Sequence, residues 1–281
     1  MQRKYALLGG KLGHTLSPPI HQRLFELKGR EFSYGLIEAE PLELEGKKSE
    51  LSQLAGYNVT IPHKQAVISF MDKLDDSAKR YGAVNCVDNK SGISTGYNTD
   101  CDGFLRSIMA SGGRLGGNTL LLGAGGVGRM MAIETCLAGG RLTMAVLESF
   151  MSQTEKVKED ILALVPQADV QIVTFDKIPA EQFDTMINAT PVGMYPKCDE
   201  CVVTDRVIQS AGFVFDAIYN PRETLLIRKA KAMGKPAVGG MAMLVWQAVS
   251  AHEVWDGDSY TDAQVQDIID EMYERVERDF K

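Results

Sequence analysis

The chain has 281 residues, of which 30 are basic and 37 acidic, giving a formal net charge of -7. Its 44% hydrophobic and 24% charged content is that of a folded globular protein, and its length exceeds the usual span of one domain, so two domains are expected. The acidic balance argues against nucleic acid or an anionic membrane as partner, and no apolar run approaches membrane-spanning length.

Met1-Gln2-Arg3-Lys4-Tyr5 leads straight into a strand-like run, without an apolar leader. Tyr5–Leu8, Phe32–Ile37, Tyr57–Thr60 and Ala83–Val87 read as strands separated by helices. Asn58-Val59-Thr60-Ile61-Pro62-His63-Lys64 is a polar cluster at a strand-to-helix junction. Pro62 suits a first helical turn, which would carry Lys64. A lysine there stabilises a developing alkoxide or exchanges a proton, although a lone lysine ordinarily faces water. Asn98-Thr99-Asp100 is a second polar knot, ahead of a helix around Gly103–Met109. Asp100 either caps that helix or partners Lys64, and spacing leaves both open. Gly112-Gly113 and Gly116-Gly117, around Arg114-Leu115, read as a link between domains.

Asn118–Leu122 is an apolar run ending in Gly123-Ala124-Gly125-Gly126-Val127-Gly128, followed by a helix to Leu137 and a second apolar run, Leu142–Leu147. Gly123, Gly125 and Gly128 match G-x-G-x-x-G between strand and helix, where backbone amides receive a pyrophosphate; a purely structural glycine turn is the alternative. Glu148 stands about 20 residues beyond that turn, where an acidic side chain accepts from ribose hydroxyls and repels a 2′-phosphate, so NAD is expected over NADP. Helices at Glu155–Val165 and Thr224–Met233 alternate with strands at Val170–Thr174, Thr185–Ala189, Phe213–Ala217 and Pro236–Val238. This is parallel α/β texture. Thr261–Asp279 places Val265, Ile268, Ile269, Met272 and Val276 on one face of a surface helix.

The 5 cysteines, an odd number, read as free thiols in a reducing, cytoplasmic setting. Cys198 and Cys201 have zinc-knuckle spacing but lack a second pair, so no metal is expected. No heptad repeat sets an oligomeric state, and a monomer or homodimer is compatible with the chain.

In combination these segments resemble the shikimate dehydrogenase family, including its quinate/shikimate-using relatives, over nearly the whole chain. His14-Thr15-Leu16-Ser17-Pro18 with His21 resembles the family's N-terminal substrate loop, usually written with two serines, and Asn58–Lys64 resembles its N-V-T-x-P-x-K segment. Gly82–Asn85, Gly96–Gly103, Asn188–Met194, Asp216–Pro221 and Gly240–Gln247 follow in family order, with Cys86 where threonine is common. The resemblance implies two α/β domains: an N-terminal substrate-binding domain over 1–103, completed by helices returning in 240–281, and a Rossmann-like dinucleotide-binding domain over 104–239. It implies Lys64 and Asp100 as catalytic pair, Thr15, Ser17, Thr60, Asn85, Tyr219 and Gln247 as substrate residues, and Thr190 and Gly240 beside the dinucleotide. The implied reaction is reversible reduction of 3-dehydroshikimate to shikimate. A quinate/shikimate dehydrogenase and a non-catalytic dinucleotide-binding module are the alternatives, the latter disfavoured by retention of both Lys64 and Asp100.

Overall fold

Tyr5-Ala6-Leu7-Leu8 offers apolar side chains to both faces, the pattern of a strand covered on two sides, and all four are buried within β1 (Arg3–Gly9). The computed structural model describes residues 3–13 and 15–279, so His14 of the N-terminal loop lies outside the described residues. The chain packs as two units, Met1–Gly103 with Leu244–Met272, and Phe104–Met243 with Tyr273–Lys281; the sequence expectation drew the second over 104–239.

The first unit contains β1, β2 (Phe32–Glu38), β3 (Gly56–Val59), β4 (Lys73–Leu74), β5 (Cys86–Lys90) and β6 (Ile93–Tyr97), in the order β2-β1-β3-β5-β6-β4. Helices α1 (Ser17–Leu27), α2 (Lys48–Leu51) and α3 (Asp76–Tyr81) intervene, and α4 (Asp100–Ala110) follows. The pairs β1–β2, β1–β3 and β4–β6 are parallel, while β5 runs antiparallel to both β3 and β6. The β5–β6 hairpin turns through Ser91 and Gly92, both at positive φ (56° and 76°), which matches the twist of paired strands. The strand expected over Ala83–Val87 is β5 and begins at Cys86, because Val84 N donates to Lys64 O and ties the preceding stretch to the β3 loop.

The second unit is a wholly parallel sheet of β7 (Asn118–Leu122), β8 (Arg141–Val146), β9 (Val170–Thr174), β10 (Phe183–Asn188), β11 (Ala211–Asp216) and β12 (Ala237–Gly239). The crossovers carry α5 (Gly126–Leu137), α6 (Met151–Leu164), α7 (Asp205–Gln209) and α8 (Leu225–Ala232). Its order, β12-β11-β10-β7-β8-β9, is the doubly wound 3-2-1-4-5-6 arrangement counted from β7. The chain reverses direction across the sheet at β7, so a ligand crevice belongs at the carboxyl ends of β7 and β10. Leu120, Leu122, Ala145, Met186, Val214 and Leu226 form part of the core beside this sheet.

The Gly112–Gly117 stretch, expected as an interdomain link, lies inside the second unit. Helix α4 has already entered that core: Phe104 is fully buried and meets Phe215 edge-on, with ring centroids 5.3 Å apart. The last helices are α9 (Met241–Asp256) and α10 (Asp262–Asp279), and the five apolar residues expected on one face of α10 are all buried. No helix among the described residues is long and apolar enough to cross a membrane.

Candidate active site and dinucleotide turn

The chain leaves β3 at Val59 and turns through Thr60–Gln65, and a 3₁₀ turn starts only at Ala66. Pro62 therefore does not open a helix, as its residue type suggested. Thr60 N donates to Leu8 O and His63 N to Thr60 O, and these bonds shape the turn in place of a helical ladder. Buried His63 places Nε2 2.7 Å from Ala39 O, while Lys64 O accepts from Val84 N at 2.7 Å. The backbone on either side of the Lys64 side chain is thus pinned.

Lys64 Nζ lies 2.6 Å from Asp100 Oδ2, a charge-assisted bond between side chains 31% and 20% exposed. The two residues whose meeting spacing left open do meet. The capping question resolves with it: Asp100 N donates to Asn98 Oδ1 at 3.2 Å, so Asn98 serves the start of α4 and leaves the Asp100 carboxylate to Lys64.

The second carboxylate oxygen, Oδ1, accepts from Asn85 Nδ2 at 2.9 Å. Thr99 N donates to Asn85 Oδ1 at 2.7 Å, which fixes the amide so that its nitrogen faces Asp100. The same nitrogen is 3.4 Å from Gln247 Oε1, and Gln247 is oriented by its own donation to Leu244 O at 2.9 Å. Lys64, Asn85, Asp100 and Gln247 therefore form one network. Thr15 and Ser17 form a separate hydroxyl pair at the start of α1, with Oγ atoms 3.3 Å apart and Ser17 N donating to Thr15 Oγ1 at 3.2 Å. Thr60 stands half-buried at the end of β3.

Two supporting residues were given no role by the sequence reading. Asn58, buried in β3, accepts from the Tyr34 hydroxyl at 2.8 Å and places its amide nitrogen 3.4 Å from Asn85 O. Asn58 lay inside the polar cluster, where that setting was a usable signal. Tyr34 gave none, because an aromatic in a strand reads as core.

In the second unit, Gly123 has φ +86°, and a Cβ there would fall 2.7 Å from Thr190 Cγ2. A Cβ on Gly128 would fall 2.4 Å from Gly123 O, so this glycine permits the close approach of α5 to the turn. Gly125 and Gly126 face open space, with Ala124 and Val127 completing the loop. Gly125 is the N-cap of α5 and supplies no side-chain acceptor to the helix amides. A bare backbone, room above it and uncapped amides fit a dinucleotide pyrophosphate.

Thr190 packs against that turn, donating its hydroxyl to Asn188 Oδ1 at 2.7 Å. Asn188 Nδ2 in turn donates to Asp216 Oδ1 at 3.0 Å, and the Thr224 hydroxyl donates to Asp216 Oδ2 at 2.7 Å. Burial pushes the Asp216 carboxyl up to about 6 despite these donors. Gly240 packs so closely on Ala217 that a Cβ would sit 2.1 Å from its carbonyl oxygen. Tyr219 lies just beyond β11, largely buried, and burial raises its phenol above the usual value. Glu148 is exposed at the start of a 3₁₀ turn directly after β8. Cys198 and Cys201 are partly exposed free thiols, and no group of three or more potential ligands for a metal occurs among the described residues.

A doubly wound parallel sheet with this glycine turn, in one chain with a second α/β unit bearing a lysine–carboxylate pair, defines the class of dinucleotide-dependent oxidoreductases. Residues 7–87 match the shikimate dehydrogenase substrate binding domain. The shikimate dehydrogenase (NADP(+)) of Clostridium beijerinckii is 36% identical over 255 residues, covering 89% of this chain and 91% of its own. The crystal structure of shikimate 5-dehydrogenase from Thermus thermophilus with NADP(H) and shikimate matches with a TM-score of 0.85 at 30% identity, covering 96% of this chain and 99% of that one. The Listeria monocytogenes enzyme, in complex with shikimate and NAD, matches with a TM-score of 0.86 at 27% identity, covering 95% and 96%. The chain belongs to the shikimate dehydrogenase family.

Proposed function

We propose that this protein is a shikimate dehydrogenase, reversibly reducing 3-dehydroshikimate to shikimate with a nicotinamide dinucleotide. The observation that carries the reading is the 2.6 Å bond from Lys64 to Asp100, held on its far side by Asn85. The dinucleotide, when bound, supplies the hydride that reaches the substrate carbonyl carbon. Lys64 donates a proton to the carbonyl oxygen as its negative charge develops, so the C=O becomes CH–OH, and Lys64 recovers a proton from water. In the reverse direction Lys64 accepts the hydroxyl proton. Asp100 keeps the ammonium in place and accepts from a substrate hydroxyl, and Asn85 keeps Asp100 in place.

Thr15 and Ser17 hold the substrate carboxylate, while Thr60, Asn85, Tyr219 and Gln247 pair with ring hydroxyls, which a site lined by amides and hydroxyls recognises by leaving none unmet. Gly123, Ala124, Gly125, Gly126, Val127 and Gly128 receive the pyrophosphate, with Thr190 and Gly240 at the edges of that site. In this reading the first unit carries the substrate residues other than Tyr219, and the second carries the dinucleotide residues. Glu148 supports NAD over NADP, because an exposed carboxylate at the end of β8 pairs with ribose hydroxyls and opposes a 2′-phosphate. Cysteines left free, two of them partly exposed, are consistent with a cytoplasmic setting.

The test is initial-rate kinetics with shikimate and quinate, each with NAD and NADP. Shikimate should be oxidised, with the higher kcat/KM on NAD. Faster turnover of quinate would move the assignment to a quinate/shikimate dehydrogenase. Dinucleotide binding without turnover of either acid would leave only a binding module.

A further inference from the structure

Ser17 and His21 are four residues apart on α1 and so share a face of that helix. His21 is fully buried, with Nδ1 3.0 Å from Nε2 of His252, itself fully buried on α9. His252 Nδ1 is 3.1 Å from the Tyr260 hydroxyl, and that hydroxyl donates to Leu24 O, back on α1, at 3.1 Å.

The directions of these bonds follow from proton counting. A carbonyl oxygen carries no proton, so the single Tyr260 hydroxyl proton is committed to Leu24. The Tyr260 oxygen must then accept, and His252 carries its proton on Nδ1. His252 Nε2 is left a bare acceptor, so the proton between the rings belongs to His21 Nδ1. His21 Nε2 is a bare lone pair in turn, and no donor reaches it among the described residues. Both rings are neutral: burial drives the His21 pKa down to about 3 and holds His252 well below its ordinary value. The His21 ring also stacks on Tyr34, with centroids 4.4 Å apart and planes 13° from parallel, and Tyr34 donates to Asn58, whose amide nitrogen lies 3.4 Å from Asn85 O.

We propose that the His21–His252–Tyr260 relay is a positioning device for substrate recognition, a one-directional chain that locks α1, which begins at Ser17, against α9, which carries Gln247. The inference rests on the reading of Thr15, Ser17 and Gln247 as substrate groups. A hydrophobic contact of equal size would hold two helices together but would not fix their rotation, whereas a donor facing a single acceptor at each joint does.

Replacement of His252 separates this from plain packing. His252→Gln keeps an acceptor toward His21 and a donor toward Tyr260; His252→Leu keeps volume and removes both. His252→Leu should raise KM for shikimate roughly tenfold, the order expected from one buried hydrogen bond left unmet. Its kcat should stay within a few-fold and its dinucleotide KM unchanged, while His252→Gln should restore KM to within about threefold of the parent. Parental KM for shikimate in His252→Leu, whatever happens to its Tm, would overturn the proposal.

Should that variant fail to fold, two further measurements decide. Tyr260→Phe removes the group that sets the bond direction and should raise KM for shikimate alone. The ¹⁵N shifts of the two imidazoles in the unaltered enzyme should show neutral rings protonated on Nδ1 at pH 6. A proton on Nε2 of either ring, or a charged ring, would sink the relay. If the unaltered enzyme did not oxidise shikimate at all, the substrate reading would fall, and the imidazole tautomers would still decide the relay.

Discussion

Asn85 donates from Nδ2 to Oδ1 of Asp100 at 2.9 Å while Lys64 holds Oδ2 at 2.6 Å, so the carboxylate is gripped at both oxygens. A carboxylate held on one side only could rotate away from the lysine. In the proposed function Asn85 therefore belongs to the proton-handling group as well as to the substrate residues. Asn85→Ala should lower kcat about tenfold, the cost of one charge-assisted hydrogen bond. Combined with Lys64→Ala it should add little, because the residues act as a unit. Full additivity of the two losses in kcat would separate Asn85 from the pair.

Lys64→Ala removes the cation that the proposed mechanism sets against the developing oxyanion. Turnover should fall on the order of 100-fold, about 3 kcal/mol of transition-state stabilisation. Dinucleotide affinity, measured by fluorescence titration, should stay near that of the unaltered enzyme. Turnover within twofold of normal would remove Lys64 from its proposed role.

The glycine turn makes a paired prediction. A Cβ on Gly128 would strike Gly123 O at 2.4 Å, so Gly128→Ala should lower Tm and dinucleotide affinity together. A Cβ on Gly125 meets nothing in the protein within 4 Å and would occupy only the space proposed for the pyrophosphate. Gly125→Ala should keep Tm and raise dinucleotide KM tenfold or more, as expected where a backbone must approach a phosphate closely. Unchanged dinucleotide KM in Gly125→Ala would place the cofactor elsewhere.

Asp216 should make stability depend on pH. Its carboxyl rises from 3.8 to about 6 on folding, so the native state holds the proton more tightly than the unfolded chain. Below 3.8 both states are protonated; as pH rises toward 6 the unfolded state ionises first and stability falls, levelling off above 6. At about 1.4 kcal/mol per tenfold in proton affinity, the full loss is about 3 kcal/mol, of which about 2.4 kcal/mol falls between pH 4 and 7. Denaturant titrations of the unaltered protein and Asp216→Asn across that range should converge toward low pH and diverge above it. Parallel stability curves would show that the residue does not titrate in this window.

Cofactor choice is testable at one position. Glu148→Arg should raise kcat/KM with NADP and lower it with NAD, because the substitution replaces the repulsion of a 2′-phosphate proposed for Glu148 by a partner for that phosphate. An unaltered ratio of the two efficiencies would detach Glu148 from the adenosine ribose.

Short-range pattern was enough to read the second unit. Strand, G-x-G-x-x-G and helix follow one another within a few residues, and each glycine has a local reason, such as the positive φ of Gly123. Apolar runs likewise marked its parallel strands, and the 3.6-residue period marked the buried face of α10. Tertiary structure decided what spacing could not. Asp100 opens α4 with its amide on Asn98 Oδ1 and its carboxylate on Lys64, and Lys64 and Asp100 stand 36 residues apart. Pro62 went into a turn, because Leu8 and Ala39 supply the hydrogen bonds there, and both belong to distant parts of the chain. Gln247 joins Asn85 across 162 residues, and His252 joins His21 across 231. A side chain's local propensity is set by its own few neighbours, whereas its hydrogen-bond partner is chosen only when chain closure brings buried donors and acceptors together and leaves them no water to bind.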